Sequence, residues 1–186
     1  MTAKLNLPNR ITLLRICLIP PIVVFLLYPS RESSFAAALM VMAASFTDWL
    51  DGHVARTKKQ ITTLGTLLDP VADKLLLVAA LIPLVELHRV PSWMAVVLIG
   101  REVAVTGIRG ISASHQLIIP AGTTGKYKML FQMIALVALI LDVKVAFVDF
   151  HLWGTLFLWV SMVLSIVSAV EYFLRFWEEI VLLDVH

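Results

Sequence analysis

Long apolar runs, broken by short polar or proline-bearing segments, organise nearly the whole chain. Read at the length a helix needs to cross a hydrocarbon core, about 20 residues, they predict six helices over residues 12–28, 35–55, 64–87, 92–112, 124–141 and 150–174. The connections, residues 29–34, 56–63, 88–91, 113–123 and 142–149, are short, so consecutive helices are expected to be neighbours. Leu5, Leu7 and Pro8, ahead of the first run, suit a short N-terminal interfacial helix. No internal repeat or low-complexity stretch is evident. The expected fold class is all-α: an integral membrane bundle of six transmembrane helices, forming one domain over residues 1–186.

Composition supports the membrane assignment. Of the 186 residues, 60% are hydrophobic and only 15% charged, against about a quarter charged in soluble domains, and the mean hydropathy is +0.91. Lys4, Arg10, Arg56, Lys58, Lys59, Arg109, Lys126, Lys128 and Arg175 fall on one side of a six-span arrangement, with Arg31, Arg89 and Lys144 on the other. By the positive-inside rule both termini are then cytoplasmic. Trp93, Trp153, Trp177, Tyr28 and Tyr172 fall near span ends, as interfacial aromatics should. The basic residues are scattered among apolar spans rather than gathered in a patch, which gives no footprint for nucleic acid. Lys4 and Arg10 before an apolar run have the outline of a signal peptide, but Pro20, Pro21 and Pro29 follow in place of a small-residue cleavage site, so an uncleaved first span is expected. The single cysteine, Cys17, excludes an intrachain disulfide and a cysteine metal cluster, and is expected to be a small buried residue.

Against this apolar background Asp48, Asp51, Asp69 and Asp73 stand out. An ionised carboxylate at membrane depth costs roughly 3 kcal/mol or more unless it is paired or faces a polar cavity, so four in one short stretch need a shared counter-ion. Asp48 and Asp51 are three apart and Asp69 and Asp73 four apart, so each pair shares a helix face. An all-oxygen ligand set of this size suits Mg²⁺ or Mn²⁺ and can bridge two ions. Gly52, Ala55 and Gly65 keep the same faces nearly free of side chains, and Arg56 at the mouth is suited to bidentate phosphate pairing. Carboxylates, divalent metal and an arginine are the components of a phosphoryl-type transfer. The structural alternatives are salt-bridge partners or the ligands of an ion pathway.

The run Asp48-x₂-Asp51-Gly52-x₂-Ala55-Arg56-x₈-Gly65-x₃-Asp69-x₃-Asp73 resembles, at every fixed position, the signature of the CDP-alcohol phosphotransferases. The resemblance implies a six-helix membrane fold, usually dimeric. It further implies that Asp48, Asp51 and Asp69 hold one metal, that Asp51, Asp69 and Asp73 hold the second, and that Asp73 is also the proton acceptor. Gly52 and Arg56 would then contact the CDP moiety, joined by Thr62 and, from the Asn-Arg-Ile-Thr stretch, by Asn9 and Thr12. His53 fills a variable position of the signature and is read as facing lipid headgroups; His88, His115, His151 and His186 show no ligand spacing.

The remainder is similar to one branch of that family, the CDP-diacylglycerol:glycerol-3-phosphate 3-phosphatidyltransferases. The similarity is carried by Leu7-Pro8-Asn9 with Thr12 and Arg15, by Leu68 to Lys74, by Arg101-Glu102 with Arg109, and by Gly125-Lys126 with Lys128 and Gln132. Met129 departs from that branch, where a threonine commonly follows. The resemblance implies transfer of the phosphatidyl group of CDP-diacylglycerol to the 1-hydroxyl of glycerol 3-phosphate, releasing CMP, in a bacterial inner membrane with the site facing the cytoplasm. Arg101 and Arg109, roughly 12 Å apart along one helix, together with Lys126 and Lys128, make a cationic pocket that an acceptor bearing its own phosphate needs. The plainer alternative pairs Arg101 with Glu102 or an aspartate and lets both lysines reach lipid headgroups. Within the family the competing acceptors are an inositol phosphate and phosphatidylglycerol, the latter giving cardiolipin. Outside it, a membrane prenyltransferase would carry asparagine-aspartate motifs that are absent from this chain, and a divalent-cation transporter requires a through-path.

Overall fold

The computed structural model describes the backbone of residues 7–58, 63–114, 124–145 and 148–184, and within it the side chains of residues 12–47, 68, 70–114, 125, 127–144 and 148–180. Among the described residues the chain is helical throughout except for one small hairpin. The helices are α1 (Leu7–Leu27), α2 (Arg31–Lys58), α3 (Thr63–Glu86), α4 (Ser92–Ser114), α5 (Thr124–Leu141) and α6 (Phe150–Asp184). Strands β1 (Lys144–Val145) and β2 (Val148–Asp149) pair antiparallel, with Lys144 opposite Asp149.

Ends are set by local chemistry. Ser30 caps α2: its Oγ accepts from the Ser33 amide at 3.0 Å, while Ser33 Oγ accepts from the Ser30 amide at 2.6 Å. The helix therefore starts at Arg31, ahead of the apolar run expected from residue 35. At the end of α3, His88 adopts a left-handed conformation (φ 56°), its amide donating to Val85 O and the Arg89 amide to Leu84 O. That is a Schellman closure without the usual glycine. Arg89 then caps α5, Nη1 donating to Leu139 O (3.2 Å) and Ile140 O (2.8 Å), and Nε pairs with Asp142 at 3.0 Å. The hairpin, read from sequence as a plain connection, forms because the Lys144–Asp149 ion pair (2.8 Å) closes it. Asp149 Oδ1 also accepts from the amides of His151 and Leu152, capping α6.

Helix α1 packs against both α2 and α3, α5 lies antiparallel along α6, and α2 and α4 complete the bundle through α5 and α6. The core draws on all six helices, with Ile22, Leu26, Val41, Leu81, Leu84, Met94, Leu98, Leu139, Ile140 and Leu158 fully buried. Gly154 sets the α5–α6 separation: a Cβ there would lie 2.8 Å from Leu139 Cγ and 3.1 Å from Ala138 Cβ. Cys17, expected to be buried, is exposed, on a helix whose outward side also carries Leu13, Leu14 and Val24.

Among the described residues one helix is long and apolar enough to cross a membrane: residues 150–180 of α6, with mean hydropathy 1.9. Residues 12–27 and 127–141 form shorter apolar helices. At about 1.5 Å per residue, α6 is longer than a hydrocarbon core is thick. It continues ten residues past the expected end at Leu174, because Arg175 to Asp184 contains neither proline nor glycine to stop it.

Candidate functional site

Asp48 and Asp51 lie toward the end of α2 and Asp69 and Asp73 in the first half of α3, the helices being joined by residues 59–62. Counted back from the end of α2, Asp51 lies about 10 Å and Asp48 about 15 Å along the axis; counted forward from the start of α3, Asp69 and Asp73 lie about 9 and 15 Å along. Each pair thus lies within about 15 Å of the α2–α3 connection, measured along its own helix. Gly52, Ala55 and Arg56 lie on the last turns of α2 and Gly65 on the first turn of α3. The side chains of Asp48, Asp51, His53, Ala55, Arg56 and Asp69, and the whole of Thr62, lie outside the described residues. No group of three ligating side chains forms among the described residues alone, since three of the four carboxylates are not among them. The donor set, four carboxylates on two consecutive helices, has the all-oxygen chemistry that suits a hard divalent cation.

Asp73 is described, and it is not alone. Arg15 of α1, only 1% exposed, donates Nη1 to Asp73 Oδ1 at 2.8 Å. Thr12, one turn earlier on the same face, is likewise buried. Asn9 lies in the first turn of α1, its side chain outside the described residues. The expected nucleotide-side residues of α1 thus share a helix with the arginine that holds Asp73. A cation set within the apolar run of α1 is the sequence signal that marks Arg15.

The second polar cluster joins α4, α5 and α6. Arg101, half-buried, donates Nε to Ser165 O (2.8 Å), Nη2 to Ser168 Oγ (2.6 Å) and Nη1 to Glu102 Oε1 (2.9 Å). Lys128 of α5 is buried and pairs with the same Glu102 Oε1. Lys128 thus does not reach out to headgroups; it turns into the bundle. Ser161 donates to Lys128 O. Two neighbouring polar atoms, Ser165 Oγ and Gln132 Nε2, are buried with no hydrogen-bond partner among the described residues, and Gln132 sits one turn from Lys128 on the same face of α5. Arg109, two turns beyond Arg101, is exposed with its guanidinium 5.4 Å from the Tyr172 ring centroid, a cation–π contact. Lys126 carries its side chain outside the described residues, and Met129 is exposed.

Lys74 is a further cation beside the first cluster: it follows Asp73 on α3 and donates Nζ to Pro70 O at 3.1 Å. Glu102, Lys74, Ser165 and Ser168 were not marked as site residues by sequence reasoning. The pairing of Arg101 with Glu102 is the plainer alternative that the sequence offered, and the structure shows it, while Arg101 also reaches the α6 serines.

A family model described as CDP-alcohol phosphatidyltransferase matches residues 5–167. Similar proteins include one from Bacillus subtilis (strain 168), 42% identical over 93% of this chain and 96% of its own length. Another, from Pseudomonas fluorescens, is 38% identical over 95% and 92%, and one from Rickettsia bellii (strain RML369-C) is 35% identical over 90% and 93%. Each of the three is named CDP-diacylglycerol--glycerol-3-phosphate 3-phosphatidyltransferase.

Proposed function

The chain belongs to the CDP-alcohol phosphatidyltransferase family, and from that premise we propose that it transfers the phosphatidyl group of CDP-diacylglycerol to the 1-hydroxyl of glycerol 3-phosphate, releasing CMP. The observation that carries the choice of acceptor is the near end-to-end match to relatives bearing that name. The buried cations of the α4–α6 cluster agree with it, because a phosphorylated acceptor needs them and a neutral alcohol does not.

Asp48, Asp51, Asp69 and Asp73 would hold two Mg²⁺ ions, with Mn²⁺ as the alternative. Bound there, divalent metal neutralises the diphosphate and stabilises the charge that develops on the departing CMP. The chain's own groups do the rest. Arg56 pairs with the nucleotide phosphate, Gly52, Ala55 and Gly65 leave room for it, and Asn9, Thr12 and Thr62 line the nucleotide side. Arg101, Arg109, Lys126 and Lys128 receive the acceptor's phosphate. Asp73 takes the proton from the 1-hydroxyl as that oxygen attacks the phosphorus bearing diacylglycerol, while Arg15 fixes the carboxylate's orientation. The reaction is a direct displacement, since no serine, cysteine or histidine is spaced as a nucleophile.

The protein is proposed to lie in a bacterial inner membrane as a six-span homodimer with cytoplasmic termini and a cytoplasm-facing site. Large apolar side chains exposed on every helix, among them Leu14, Phe35, Ile82, Val96, Leu130 and Leu156, support burial in lipid. Mass spectrometry of lipids from proteoliposomes given CDP-diacylglycerol, Mg²⁺ and competing acceptors tests the assignment. Phosphatidylglycerophosphate is the expected product; cardiolipin or a phosphatidylinositol phosphate in its place would reassign the acceptor.

A further inference from the structure

Glu102 is out of place in a pocket for an anion. A carboxylate there repels the acceptor's phosphate, and once that phosphate arrives it neutralises Arg101 and Lys128 by itself. Yet Glu102 sits between them, its Oε1 engaged by both cations. Oε2 has no hydrogen-bond partner among the described residues, and the side chain retains 21% exposure. A ligand group meeting that oxygen must be a hydrogen-bond donor, which a phosphate dianion is not and a hydroxyl is.

We propose that Glu102 reads the secondary hydroxyl of the acceptor, selecting alcohols that carry a hydroxyl on the carbon next to the phosphate-bearing one. In glycerol 3-phosphate the 2-hydroxyl and the phosphoester oxygen are on adjacent carbons. A phosphate seated on Arg101 therefore brings the 2-hydroxyl close to the carboxylate that the same guanidinium holds at 2.9 Å. Two points of the acceptor are then fixed, and the 1-hydroxyl is the group left to face Asp73. Lys128 and Arg101 hold the Glu102 carboxyl group in place. Glu102 takes this role only if Arg101 and Lys128 hold the acceptor phosphate, as proposed above.

The test compares glycerol 3-phosphate with 3-hydroxypropyl phosphate, which keeps the attacking hydroxyl and the phosphate but lacks the 2-hydroxyl. Wild-type enzyme is expected to favour glycerol 3-phosphate in kcat/KM by roughly ten- to a hundredfold, the range for a hydrogen bond to a charged group. Glu102→Gln brings the ratio down to within a few-fold of unity, by losing rate on glycerol 3-phosphate. If that variant turns over too slowly, equilibrium binding of the two acceptors to it gives the same ratio, and Glu102→Asp, which retains the charge, provides a folded comparison. A wild-type ratio near unity, or a ratio that survives in Glu102→Gln, overturns the proposal. Arg101→Gln should raise KM for both acceptors; if it leaves both unchanged, the phosphate assignment itself fails, separately from Glu102.

Discussion

Asp73 is the residue where the sequence and the structure meet most closely. Its place in the aspartate run marks it in the sequence, but its partner does not, because Arg15 lies 58 positions away on another helix and only tertiary packing brings them together. An unperturbed aspartate, with pKa near 3.9, is a weak base, so its contribution depends on position. Asp73→Asn is expected to cut turnover about a thousandfold while leaving CDP binding within a few-fold. Equal loss of both would indicate a structural role instead. Arg15→Met leaves the partly exposed Asp73 carboxylate without its partner and should destabilise the protein by about 1 kcal/mol, read as a lowered melting temperature in detergent. Arg15→Lys keeps the charge without the guanidinium fork and should fall between the two. The second polar cluster was partly legible: Arg101 and Lys128 announce themselves as cations inside apolar runs and the Arg101–Glu102 pair was among the alternatives, whereas the link from Glu102 to Lys128 and the α6 serines emerge only when α4, α5 and α6 pack.

At the scale of elements, the six helices were legible because long apolar runs leave the chain few alternatives, and their ends were less so because caps act over one or two residues. Ser30 moved the start of α2 and the absence of a breaker extended α6. The β1–β2 hairpin was missed because four residues in strands carry no periodicity to read. Its hydrogen bond from Lys144 holds the Asp149 carboxyl below the usual carboxylate range, and the same partner raises Lys144. With the folded pKa of Asp149 below its unfolded value, the stabilisation is present above about pH 4 and fades as pH falls through the folded pKa. For Lys144 it is present below the unfolded pKa and fades as pH rises through the raised one. The difference in melting temperature between wild type and Asp149→Asn should therefore shrink on going from pH 6 to pH 3. Gly154→Ala pushes a methyl group into Leu139 and should cost about 1–3 kcal/mol, measurable by thermal unfolding; an unchanged melting temperature would mean that α5 and α6 separate freely there.

Across the whole molecule, two polar clusters bear on the proposed reaction, and Lys74, next to Asp73 on α3, adds a cation beside the first of them. In the proposed mechanism the carboxylates near the α2–α3 connection would hold metal and diphosphate, and the cations between α4, α5 and α6 would receive the acceptor's phosphate. Composition made the membrane setting legible at once, but which helices touch was not, since apolar faces directed at lipid and at protein look alike in sequence. The most direct test is CMP release by purified protein in mixed micelles with CDP-diacylglycerol. Glycerol 3-phosphate, inositol phosphate, free glycerol and no acceptor are compared, each with Mg²⁺ and with chelator. Release that requires both glycerol 3-phosphate and divalent metal, and disappears in Asp73→Asn, is the predicted result. CMP formed without glycerol 3-phosphate, or none formed by folded protein under any of these conditions, would contradict it.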